Sequence, residues 1–87
     1  MKKVDFVIRD YVSKLPFDNL RWLAERFEER IGPDLSEAIE FISKNSEIDK
    51  FLGTAKDYVE FWSAVDQVAV YVEKEFARRS PDLVSHG

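Results

Sequence analysis

The chain is 87 residues long, 45% hydrophobic and 34% charged, with no cysteine and a formal net charge of −4. That length holds one small domain, and the composition belongs to a folded chain rather than a disordered one. Without cysteine there are no disulfides, thiolate metal sites or thiol nucleophiles, and an acidic chain lacks the basic footprint that nucleic-acid binding needs.

The first residues, MKKVDFVIRD, carry two lysines, but Asp5, Arg9 and Asp10 interrupt any apolar run of the kind a secretion signal requires. No stretch approaches the length of a membrane span. A cytoplasmic location with no membrane partner is therefore expected. Val4, Val7, Ile8, Tyr11, Val12 and Leu15 follow the i, i+3, i+4 rule, which predicts an amphipathic helix over 3–14. Pro16 ends it and suits the start of the next helix. There Phe17, Leu20, Leu23, Ala24, Phe27 and Ile31 share one face, up to the break at Gly32-Pro33.

Asp34 and Glu37 have capping-box spacing ahead of Leu35, Ala38, Ile39 and Ile42, which predicts a short third helix ending near Lys44-Asn45. SEIDKFL, 46–52, adds a further turn or short helix whose Ile48, Phe51 and Leu52 fill the core. Gly53 breaks the pattern. Thr54, with Asp57 three residues on, is the expected N-cap of a last helix that runs to about Arg79. Lys74, Arg78 and Arg79 suit its C-terminal dipole, and Ser80-Pro81 stops it. The fold class expected is all-α: a bundle of four main helices, or five where 46–52 forms a short helix rather than a turn, in a single domain over 1–80, followed by a flexible tail over 81–87.

In the last helix Ala55, Tyr58, Trp62, Val65, Ala69, Val72 and Phe76 are spaced 3, 4, 3, 4, 3, 4, a heptad seam that Phe61 and Val68 widen. About 25 residues would span roughly 38 Å, more than the roughly 30 Å diameter of a compact chain of this size. A bare end would forgo about 3–6 kcal/mol of burial. A second subunit covering it is the expected remedy, with Phe61, Trp62 and Val68 in the shared seam. Val59, Asp66 and Glu73, seven apart, line one flank. Two copies meeting there would set acid against acid, so Asp66 and Glu73 are expected to pair with Arg21 and Arg30 of the second helix.

Three aromatics sit off the core stripes: Phe6 on the first helix, Trp22 on the second, about 140° from Phe17, and Tyr71 on the last. Aromatic residues of this kind dominate interface hot spots, which makes all three candidate contacts with a partner protein. The alternative for Trp22 is a ring stacked on Arg26 one turn later.

Catalytic constellations are missing. The sole histidine, His86, lies in the expected tail, so neither a di-iron Glu-x-x-His bundle nor a Ser-His-acid triad has its parts. Zinc sites fail for want of Cys and His, and no glycine-rich phosphate loop is present. The chain is read as non-enzymatic, with no cofactor and no metal: an adaptor or regulatory protein that dimerises and binds another cytoplasmic protein. The alternative is a helix-turn-helix-like nucleic-acid-binding regulator built on the second and third helices. Asp34, Glu37 and Glu40 on its reading helix speak against that.

Overall fold

Five helices account for every regular element in the computed structural model, which describes residues 2–29 and 32–79, the side chains of 2–5 excepted. They are α1 (Lys2–Ser13), α2 (Phe17–Glu29), α3 (Gly32–Ile42), α4 (Ser46–Gly53) and α5 (Tyr58–Arg79). No strand occurs among the described residues. The expected all-α bundle with a long last helix is the fold. The expected contributions of Arg30, Ile31 and the 81–87 tail lie outside the described residues.

α5 is the common support. α2 and α1 pack along it, α4 bridges α1 and α5, and α3 packs on α2. The inward face of α5 is made of small side chains, Ala64, Val65, Val68, Ala69 and Val72, all buried. The bulk comes from the helices laid against it: Ile8 and Val12 of α1, Leu20, Leu23 and Phe27 of α2, Ile42 of α3, and Ile48 and Leu52 of α4. Thin residues on the central rod let its neighbours approach closely, and long residues then fill the gaps to the density of a protein interior.

The joints are specified locally. Backbone N–H groups of Lys14 and Leu15 bond to Tyr11 and Val12 at 3.2 Å, tightening the end of α1. Pro16 follows, and its carbonyl accepts from Leu20 at 2.9 Å as α2 begins. α3 starts at Gly32, whose φ of +27° suits a residue without Cβ. It therefore starts two residues before the expected Asp34 cap. Glu37 is not half of a capping box; its carboxylate meets the Arg26 guanidinium of α2 at 3.2 Å. The Asn45 side chain caps α4 by accepting from Ile48 N–H at 3.0 Å.

Thr54 caps the C-terminus of α4 instead of opening the last helix, its hydroxyl donating to the Phe51 carbonyl at 2.7 Å. α5 consequently has 22 residues rather than about 25, and Ala55 falls outside it. At 1.5 Å per residue it is about 33 Å long, still more than the two shorter dimensions of the molecule, 29 and 20 Å.

Its far end is tied down by charge. Arg79 donates to the carbonyls of Leu15 and Ser13 at 2.6 Å each and of Val12 at 3.2 Å. One guanidinium thus caps the carbonyls at and just past the end of α1, sharing that of Val12 with the Leu15 N–H. Glu75 holds that guanidinium at 2.7 Å and also takes Arg78 at 2.6 Å. The two hydrogen-bonded arginines draw the Glu75 carboxyl down from its usual 4.5 to about 2. Beside this lock the Phe17 and Phe76 rings stack at 5.7 Å, joining the start of α2 to the last turns of α5.

Arg79→Met should therefore cost about 2 kcal/mol, the scale of a hydrogen bond to a charged group, read from the urea midpoint, and should speed amide exchange in α1. For Glu75 the folded pKa lies below the unfolded one. Its contribution is complete above about 4.5 and is lost as pH falls towards about 2. The stability gap between the wild type and Glu75→Gln should be constant at neutral pH and narrow across that window, as followed by denaturant titrations at stepped pH.

Candidate interaction surface

Where α5 begins decides which aromatics it carries into solvent. The Asp57 carboxylate accepts the Glu60 N–H at 2.9 Å, and the Glu60 carboxylate accepts the Lys56 N–H at 2.9 Å. This is capping-box chemistry with the return bond placed one residue further upstream than usual. The helix then opens with Tyr58 and Val59, which are 79% and 78% exposed, and Trp62 follows at 42%. Phe61, half-buried against the core, meets Trp62 edge to face at 5.4 Å. Trp62 borders a depression of about 300 Å³ whose floor includes Phe27, Leu35, Val65 and Ala69. Asp66 stands at its rim.

The expected heptad seam thus divides in two. Val65, Ala69 and Val72 are buried and Phe76 is partly so, whereas Tyr58 and Trp62 stay in water. Val68, expected in a seam shared with a second subunit, has no exposed surface and belongs to the molecule's own core. Neighbouring helices around the middle of α5 bury the face carrying Ala64 and Val68 as well, a turn of the rod that the heptad count alone did not specify.

Trp22 does point away from the core stripe of α2, as its angular position implies, but α3 comes up beside it. Its ring lies 5.4 Å from Phe41, and the Arg26 guanidinium sits 4.0 Å above it. Arg26 also reaches the Trp22 carbonyl at 3.4 Å. The stacked arrangement on Arg26 is therefore present, and the half-buried ring edges a depression of about 540 Å³ with Asp18, Arg21, Glu25 and Phe41. Phe6 is 68% exposed at the mouth of another, of about 490 Å³, with Tyr11, Leu15 and Asn45. Burial there pushes the Tyr11 phenol up to about 12, so it stays protonated throughout the physiological range. Tyr71 is half-buried in a basic depression of about 350 Å³ between α1 and α5, with Arg9, Lys74 and Arg78 around it.

Arg21 is exposed in the Trp22 depression and makes no ion pair among the described residues, and neither does half-buried Glu73. Any pairing of Arg30 lies outside the described residues. The cross-helix pair that does appear between α2 and α3, Arg26–Glu37, and the Glu75–Arg79 lock were not anticipated. Arg79 could have been suspected as a last-turn cation, but its acceptors lie 64 to 67 residues away, beyond the reach of any local pattern.

No family model, curated protein or solved structure matches this chain. The surface must therefore speak through its own chemistry. Among the described residues no group of three or more His, Cys, Asp or Glu is placed to hold a metal ion, and no helix is long and apolar enough to cross a membrane.

Because the Trp22 ring is shared between Phe41 and Arg26, Trp22→Ala should cost about 2 kcal/mol in thermal or denaturant unfolding, through loosening of the α2–α3 contact. A change below about 0.5 kcal/mol, the ordinary surface range, would show that the ring carries no packing role.

Proposed function

We propose that the protein is a non-enzymatic interaction domain, adaptor or regulatory in kind, that works in the cytoplasm as a homodimer and docks another protein on the opening turns of α5. The observation that carries this reading is the bare start of that helix. Tyr58, Val59 and Trp62 stand together in solvent on a capped and rigid element. Single exposed apolar residues are ordinary on a protein surface, but aromatic and aliphatic groups clustered beside a shallow apolar depression are the anatomy of an interface centre.

Burying a side chain of this size is worth about 1.5–3 kcal/mol, so a partner covering Tyr58 and Trp62 would gain several kilocalories before other contacts. Rigidity helps, since two-χ aromatic side chains on a helix lose little freedom on binding. The helix-turn-helix alternative draws no support from the α2–α3 pair. Its exposed side chains include Asp18, Glu25, Glu29, Glu37 and Glu40, the wrong sign to approach phosphates.

Two measurements test the reading. Light scattering at about 100 µM, a concentration suited to a modest interface, should give close to twice the 10.2 kDa chain mass; the monomer mass would reject the dimer. A photo-reactive benzophenone amino acid in place of Tyr58 should give adducts with a second protein species in the native cell. Irradiation that yields no adduct would remove the opening of α5 as the docking surface.

A further inference from the structure

The outward side of α5 has a composition unlike its opening. At 100° per residue, Val59, Ser63, Gln67, Val70, Lys74 and Ala77 fall within an arc of about 80°, and every one of them is exposed. Four are slim, and Val59 and Val70 leave 78% and 42% of their surfaces in water. A strip of Val, Ser and Ala lets a second helix approach to the 8–10 Å of ordinary helix packing. Charge is distributed unevenly along one edge of this strip. Glu60 stands at its N-terminal end, and Lys74 and Arg78 at its C-terminal end. Lys74 has no ion pair among the described residues, and Arg78 is 70% exposed with donors beyond those it gives Glu75.

We infer that the occupant of this strip is a second copy of the chain, its α5 running antiparallel, with Val59 of each copy over Ala77 of the other and Glu60 of each against Lys74 and Arg78 of the other. The inference rests on the dimer proposed above and specifies its geometry. A two-fold axis on the outward side of α5, at the level of residue 68, pairs residues whose numbers sum to about 136. That register brings Glu60 within one turn of both cations of the second copy, twice over. The antiparallel sense also opposes the two helix dipoles.

A parallel pair would set Glu60 on Glu60, Lys74 on Lys74 and like dipole ends together, each of which is repulsive. The contact tips toward the Glu60–Lys74 edge, because the other edge carries Asp66 and Glu73, which would meet their own copies. A strip about 27 Å long falls short of the roughly 800 Å² per partner found in standard interfaces, so association in the micromolar range is expected.

The chain has no cysteine, so disulfide trapping is unambiguous. Val59→Cys and Ala77→Cys are made separately and oxidised alone and mixed. The mixture should give a cross-linked dimer joining residues 59 and 77, while neither variant should link to itself. Self-linked 59–59 and 77–77 products would mean a parallel pair and overturn the inference while leaving the dimer intact. No link in any combination, with a dimeric mass by light scattering, would place the interface elsewhere and likewise overturn it. A monomeric mass would sink the dimer reading as well. In a second arm, Lys74→Glu should weaken dimerisation about tenfold with circular dichroism unchanged, and adding Glu60→Lys to the same chain should restore it, relative to Glu60→Lys alone, which carries the loss of the Lys56 cap. Absence of that rescue would overturn the charge register.

Discussion

A single guanidinium joins the two ends of the described fold. Arg79, in the last turn of α5, occupies the carbonyls with which α1 finishes, and Glu75 holds it there. The arrangement stabilises two things together. The polar C-terminal end of one helix is satisfied, and the last turn of another is kept in register against it. Phe17 stacked on Phe76 closes the apolar side of the same joint. With α5 anchored at its C-terminal end, all of its excess length emerges at the other.

That excess follows from simple dimensions. α1 and α2 have 12 and 13 residues, about 18–20 Å of rod, against about 33 Å for α5. The short α4 covers part of the difference, packing against α5 and sending Ile48 and Leu52 into the core. Nothing among the described residues covers Tyr58 and Val59. The bundle therefore has a well-packed end, fastened by ion pairs and stacked rings, and an open end that exposes aromatic surface on a stiff support.

Much of this architecture was legible in apolar spacing. The periodic residues of the first two helices, Ile8, Val12, Leu20, Leu23 and Phe27, are the buried ones, because burial of one face is what the spacing encodes. The mismatch between α5 and its neighbours was legible too, from lengths alone. Helix starts were harder. Thr54 and Asp57 are three apart, and so are Asp57 and Glu60, so local pattern offers two caps. The choice falls to Asp57 because the hydroxyl of Thr54 is used to end α4. Val68 shows the limit of a heptad count. A seam of 3, 4 spacing locates a stripe, but which side of it faces inward depends on where other helices approach. Trp22 shows the same limit in reverse, since its angle on α2 was right and the arrival of Phe41 beside it was not written in α2 at all.

The bond from Arg79 to Leu15 closes a loop of 64 residues. The other joints, α1 to α2, α2 to α3 and the α4 cap, connect near neighbours in the chain. Closing so long a loop costs on the order of 4 kcal/mol in chain entropy, a sum no neighbouring pair of helices has to meet. Loop-closure cost is therefore greatest for the α1–α5 joint, which slows folding more than a joint between sequence neighbours does.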